Sequence, residues 1–261
     1  VSRPLCVVTG ASSGIGAELA RCFAAGGYDL ALTGRRADAL QALAGELTGV
    51  ACHVQPLDLT DPLAPAELVA GLTAGGLDPD VLVANAGFGQ HGSLAEADEH
   101  RLLDLLQVNV VALTHLVRLV LPGMLERKRG RILTVASVAA FQPGPLMAAY
   151  YASKAFVLSL SEALWHETRG TGVTVTCLCP GPTATGFAAA AAMGGTELFD
   201  GPGVMSAKAV AEAGFRGCLR GKRVVVPGVQ NRVGAFFGRH LPRRLVLPLV
   251  ARIQSNKESR T

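Results

Sequence analysis

The chain has little charge, few aromatic rings and no long apolar run. Charged residues make up 17% of its 261 residues and aromatic residues 5%, against 49% hydrophobic residues. So much apolar side chain with so little charge excludes a disordered chain and calls for a large buried core. The formal net charge is only +4, and there are three Tyr and one Trp. Lys and Arg form no run backed by aromatic rings, so a nucleic-acid-binding surface is not expected. The mild positive balance suits a small anionic ligand. No segment is expected to reach the length of a membrane-spanning helix, and Leu5 to Val8 is too short for a signal peptide. No repeat and no Ser/Gly/Pro linker divides the chain, so one core is expected. The six cysteines (Cys6, Cys22, Cys52, Cys177, Cys179 and Cys218) are scattered in apolar surroundings. They read as reduced buried thiols of a cytoplasmic protein. Cys177 and Cys179 have no His/Cys cluster after them, so no metal site is expected.

What is present begins with a strand, Leu5-Cys6-Val7-Val8, that runs into Thr9-Gly10-Ala11-Ser12-Ser13-Gly14-Ile15-Gly16 and then a helix ending at Gly26-Gly27. A strand, a glycine turn and a helix form a ready phosphate site. The glycines let backbone N–H groups approach the ligand, and the helix N-terminus is electropositive. Gly10, Ser12, Ser13, Gly14 and Ile15 are its candidate residues. The second strand, Asp29 to Thr33, is followed by Gly34-Arg35-Arg36. In dinucleotide-binding folds an acid here selects NAD through the ribose 2′-OH. With glycine in that position and two arginines next, a 2′-phosphate finds forked cationic contacts, and NADP(H) is inferred. A third strand, Val50 to Gln55, leads to Asp58 and Leu59. Asp58 could accept from an adenine amino group or cap the next helix, and on its own the cap is the better reading. The fourth strand, Asp80 to Ala84, ends in Asn85-Ala86-Gly87. Gly87 suggests close approach of a ligand, and Asn85 could tie neighbouring strands together.

A long helix is expected from Asp98 to Leu125, with Asn109 in its middle, where an Asn either repairs a kink or has a polar task. The fifth strand, Gly130 to Val135, places Ser137 just past its carboxyl end, where active residues of open α/β sheets gather. No G-x-S-x-G context surrounds it. The next helix, Met147 to Thr168, carries Tyr150-Tyr151-Ala152-Ser153-Lys154. A tyrosine and a lysine one turn apart share a face. A nearby ammonium favours the phenolate and brings the phenol towards a useful acid. Spacing alone leaves Tyr150 and Tyr151 both within reach of Lys154. After a sixth strand, Val173 to Leu178, comes Pro180-Gly181-Pro182-Thr183-Ala184-Thr185-Gly186-Phe187. Apolar residues and Gly194-Gly195 follow, which reads as a lid. Phe187 and Met193 are its candidate substrate contacts, beside Ser137 and Tyr150. The last strand is Arg223 to Val226. In the tail, Phe237, Leu241, Leu245 and Leu249 recur every fourth residue among arginines, with Pro242 and Pro248 expected to interrupt any helix. Packing on the core or a second subunit is one reading, and a peripheral contact with anionic membrane the other.

Taken together, the glycine turn, Asn85-Ala86-Gly87, Asn109, Ser137, Tyr150 with Lys154, and Pro180-Gly181 resemble the short-chain dehydrogenase/reductase superfamily, over about residues 4 to 230. The resemblance implies an α/β fold with a doubly wound, seven-stranded parallel Rossmann sheet in order 3-2-1-4-5-6-7. It makes residues 1–230 one cofactor-binding and catalytic domain, with 231–261 a basic amphipathic extension. It assigns Asn109, Ser137, Tyr150 and Lys154 as the catalytic four and so selects Tyr150 over Tyr151. It adds Arg35, Arg36, Asp58, Leu59, Asn85, Ala86, Gly87, Pro180, Gly181, Thr183 and Thr185 to the NADP(H) contacts. It implies a ketone or aldehyde interconverted with its alcohol, with a 3-oxoacyl or hydroxysteroid substrate as the alternative. Outside that class stand a non-catalytic NADP-binding regulator and a membrane-associated scaffold. A homodimer or homotetramer is implied, and the small-residue face of the Tyr150 helix suits such pairing.

Overall fold

The structure is a computed structural model and describes residues 3–187, 191 and 203–255. The main strands are β1 (Leu5–Thr9), β2 (Asp29–Gly34), β3 (Cys52–Pro56), β4 (Pro79–Ala84), β5 (Gly130–Val135) and β6 (Val173–Leu178). Two short strands, β7 (Thr183–Ala184) and β8 (Met205–Ser206), pair with each other, and β9 (Val224–Val225) closes the main sheet. The sheet is parallel, in order β3-β2-β1-β4-β5-β6-β9. This is the expected topology, with β9 as the seventh strand.

Helices on both faces explain why β1, β2 and β4 read as apolar runs and not as alternating ones. On one face Leu82, Ile132 and Val175 pack with Leu68, Leu116 and Val157, which belong to α3 (Ala64–Ala74), α5 (Leu113–Glu126) and α6 (Ala148–Glu167). On the other, Val81, Val83 and Leu133 pack with Leu19, Leu40 and Val210, from α1 (Gly14–Ala25), α2 (Ala37–Glu46) and α7 (Ala207–Leu219). Successive residues of β4 and β5 thus serve opposite cores. Several small residues of α6 are used inside the molecule. Ser161 shares a 2.7 Å hydrogen bond with Thr134, and Ser153 donates to the Tyr150 carbonyl at 2.7 Å. Because β1 pairs with β2 on one side and β4 on the other, the connections diverge there. A crevice opens at their carboxyl ends.

Two expectations need correction. The helix after β4 runs unbroken for 28 residues, Glu99–Glu126, with a mean hydropathy of 1.7 in its most apolar stretch. It therefore does reach membrane-spanning length and composition. Leu105, Val108, Leu113, Leu116, Val120 and Met124 are nevertheless buried along it, and it packs as a core helix. It is not uniform: α4 (Glu99–Leu106) and α5 are joined by a π turn, Gln107–Ala112. The tail forms two helices, α8 (Val229–His240) and α9 (Arg243–Gln254). Pro242 sits at the break between them, but Pro248 lies inside α9 without ending it. The bond it forfeits is to the carbonyl of Arg244, an exposed residue that water can satisfy. Val246 and Val250 on the same helix are buried against Met147 and Tyr151, which holds α9 in place.

Candidate active site

The glycine turn takes its shape from positions that exclude other side chains. Gly10 and Gly14 have φ of +64° and +57°, a region that glycine enters without strain. A Cβ on Gly16 would overlap the carbonyl oxygen of Gly10. Ser13 precedes α1 and makes no side-chain capping bond, so the first-turn N–H groups are not taken by a cap. Asn85 fixes the turn from below. Its Nδ2 donates to the carbonyls of Thr9 at 2.9 Å and Gly10 at 3.3 Å. Thr9 Oγ1 accepts from the backbone N–H of Asn85 and Ala86, each at 3.0 Å. Asn85 therefore does tie β1 to β4.

Gly87 lines the cavity and has a second reason to be small. A Cβ there would lie 2.8 Å from Asn109 Oδ1 and 3.2 Å from Lys154 Nζ, so the protein's own side chains crowd it. Asp58 is not a helix cap. Its Oδ1 accepts from Thr60 N at 3.0 Å in a local turn, and α3 begins later, after Leu63. Arg36 Nη2 donates to the Ser12 carbonyl at 2.9 Å and braces the glycine turn. Arg35 is exposed and makes no hydrogen bond among the described residues.

The second cluster is built from α6, the π turn and the end of β5. Ser137 Oγ accepts from Ala139 N at 3.1 Å and faces the Pro180 carbonyl at 3.4 Å. Lys154 is buried, and its Nζ donates to the Val135 carbonyl at 2.9 Å, 5.8 Å from the Tyr150 ring centre. Asn109 is fully buried. Its Nδ2 donates to Phe88 O and Ser153 Oγ, both at 3.0 Å, while its Oδ1 accepts from Phe88 N at 3.1 Å. The π turn frees this side chain from the regular helix face. Such turns recur at functional sites.

The titration of this cluster departs from expectation. Burial pushes the Tyr150 phenol up, and a hydrogen bond with the Ser137 hydroxyl pulls the other way. The Lys154 ammonium donates to the Val135 carbonyl and not to the phenol. Desolvation brings Lys154 down to about 8, opposed by nearby Cys177 and Cys179.

Both clusters line one cavity of about 660 Å³. Gly10, Ser12 to Ile15, Arg35, Arg36, Asp58 and Leu59 lie along one side, and Asn85 to Gly87, Ser137, Tyr150, Lys154, Pro180, Gly181, Thr183 and Thr185 along the rest. Asn109 stands behind this lining, held to Phe88 and Ser153. Phe187 also lines the cavity, its ring 5.3 Å from that of Tyr150. Met193 lies outside the described residues, as does most of the expected lid. Tyr151 turns away from the lysine: its hydroxyl accepts from Gln254 Nε2 at 2.7 Å, and its ring fills the space that a Cβ on Gly144 would occupy.

Sequence reasoning missed the far wall, which is made by Val250, Ile253 and Gln254 of α9. Gln254 is 1% exposed, and its Oε1 has no partner among the described residues. His91 Nε2 donates to its backbone carbonyl at 2.7 Å, pinning the end of α9 to the loop after β4. The available signal was the repeat of Val246, Val250 and Gln254 at every fourth residue, one position on from the leucines that drew attention.

Compared with known proteins, residues 5–193 match the short chain dehydrogenase family. The chain belongs to this family. It is 37% identical over 92% of its length, and 93% of the other chain, to an uncharacterized oxidoreductase of Myxococcus xanthus. It is 35% identical over 66% of its length to a very-long-chain 3-oxoacyl-CoA reductase of Phaeosphaeria nodorum, of which it spans 52%. Among solved structures it is similar to a short-chain dehydrogenase from Sphingobium yanoikuyae in complex with NADPH, with 34% identity and a TM-score of 0.79, over 90% of this chain and 92% of that one. It is also similar to a short-chain dehydrogenase/reductase from Burkholderia phymatum in complex with NAD, with 27% identity and a TM-score of 0.84, over 94% and 96%. As a short-chain dehydrogenase the protein is an oxidoreductase of the alcohol–carbonyl couple that works with a nicotinamide cofactor.

Asn109 gives a stability test of the site's frame. Asn109→Leu leaves the half-buried Phe88 N–H and carbonyl without their partner. A loss of about 1–3 kcal/mol is expected, since one or both groups go unsatisfied. Urea unfolding of this short-chain dehydrogenase and its variant measures it.

Proposed function

We propose that this protein is an NADP(H)-dependent reductase that interconverts an apolar ketone or aldehyde with its alcohol, using Ser137, Tyr150, Lys154 and Asn109. The observation that carries this reading is the shared cavity. A phosphate-type glycine turn and the unengaged Arg35 stand at one side, the Ser137–Tyr150 pair further in, and Met147, Phe187, Val250 and Ile253 form an apolar wall. The donor set fits a dinucleotide: Ser12 to Ile15 would hold the pyrophosphate, Lys154 the nicotinamide ribose and Arg35 the 2′-phosphate. When bound, the cofactor supplies or accepts hydride.

The remaining chemistry belongs to the chain. A carbonyl oxygen received between the hydroxyls of Ser137 and Tyr150 is polarised by both, and Ser137 stabilises the negative charge that develops there. Tyr150 gives its proton to that oxygen. Burial that raises its pKa keeps the phenol protonated, which suits an acid in the reductive direction. Asn109 holds the π turn against Ser153, and Ser153 holds the Tyr150 backbone. A second reading, a 3-oxoacyl thioester substrate, is favoured by the similarity to the Phaeosphaeria nodorum enzyme.

The test is a panel of ketones, aldehydes and 3-oxoacyl thioesters followed by NADPH absorbance. Oxidation of NADPH with apolar carbonyls, and little with charged ones, is expected; turnover of none would refute the reading. The pH profile adds a sign. Lys154 is protonated below about 8, so carbonyl reduction should hold up to that pH and fall above it as the ammonium is lost.

A further inference from the structure

Nine of the seventeen large apolar side chains left exposed among the described residues fall between Val229 and Ile253. On α8, Val229, Val233, Phe236 and Phe237 share one face at 100° per residue, opposite the buried Ala235 and Gly238. Phe236 is 59% exposed, and Leu245 and Leu249 on α9 are each 57% exposed. The same stretch holds Arg232, Arg239, Arg243, Arg244 and Arg252 and no Asp or Glu. The whole chain nets only +4, so this stretch carries a local excess of positive charge beside its exposed apolar residues, although Arg243 is turned inward to the Phe141 and Gly238 carbonyls.

We infer that α8 and α9 form a docking surface for an anionic lipid bilayer. Two occupants were open to it, a second copy of the chain and a lipid surface, and charge decides between them. A two-fold dimer sets a patch against itself. Here that would bring arginines against arginines with no carboxylate in the patch to answer them, a costly arrangement. A bilayer with anionic headgroups takes both components. Phe236, Phe237, Leu245 and Leu249 enter the acyl boundary, and Arg232, Arg239 and Arg244 meet phosphates in forked contacts. The inner side of α9 supplies Val250, Ile253 and Gln254 to the cavity. Docking thus places lipid one helix diameter, about 10 Å, from the cavity wall. Delivery of an apolar substrate from lipid rests on the function proposed above; the docking itself does not.

The test is co-sedimentation of the full chain with vesicles of phosphatidylcholine alone and of phosphatidylcholine with phosphatidylglycerol. Pelleting with the anionic vesicles only, weakened by salt, is expected. Charge loss in Arg239→Ala and Arg244→Ala should lower partitioning about fivefold each. Phe236→Asp with Phe237→Asp should lower it about tenfold or more, with an unchanged thermal transition, since both rings are exposed. No pelleting with anionic vesicles, or equal pelleting of the Phe236/Phe237 variant, overturns the inference. So does self-association of the wild type that this variant abolishes while vesicle binding is absent, which would give the face to a second copy. These readouts involve no turnover, so they stand apart from any failure of the carbonyl panel.

Discussion

Tyr150→Phe lowers kcat for carbonyl reduction by about 10²–10⁴-fold, the range for removal of a general acid. Only one oxygen is lost. The ring keeps its place beside Phe187 at 5.3 Å and Lys154 at 5.8 Å, so cofactor affinity and the unfolding transition should stay near those of the wild type. Tyr151→Phe is the control. It loses the bond from Gln254 Nε2 and should cost about 1 kcal/mol of stability while retaining turnover. Steady-state kinetics of both variants, with denaturation curves, checks the pair. The reverse pattern, with Tyr151→Phe dead and Tyr150→Phe active, would show the roles to be exchanged.

Arg35→Asp lowers kcat/KM with NADPH by about 10²–10⁴-fold and leaves that with NADH within about tenfold. Each hydrogen bond to a charged group contributes on the order of 1.5–3 kcal/mol, and the new carboxylate repels a 2′-phosphate besides. Arg36 is already engaged, its Nη2 donating to the Ser12 carbonyl at 2.9 Å and bracing the turn. Arg36→Ala should therefore weaken both cofactors alike by loosening the turn. Titration of NADPH and NADH against each protein distinguishes these cases. Equal or tighter binding of NADH by the wild type would remove the role given to Arg35.

The centre of the sheet was legible because β1, β2 and β4 are buried on both faces, and burial of that kind writes continuous apolar runs. The strand at the far edge, β9, has two residues where four were expected, since an edge needs little pairing. In the site, residues whose reason lies within a few positions were readable: the glycine turn, the Tyr150–Lys154 turn, and Ser137 at the end of β5. Those whose reason lies far along the chain were not. Gly87 is small because Asn109 and Lys154 converge on it from two other elements. The Tyr150 phenol is pushed up by burial, and burial is a property of the assembled fold and not of a spacing. Val250, Ile253 and Gln254 belong to a tail that follows the matched family region, and only packing against Met147 and Tyr151 reveals their part.

That tail gives the cavity an order of assembly. The glycine turn, at residues 10–16, leaves the ribosome first, and α9, more than two hundred residues later, is the last described element to emerge. Domains generally fold as units, so the cavity is not complete until α9 has emerged: Val250, Ile253 and Gln254, which form the wall beyond Tyr151, are the last of its lining residues to be made.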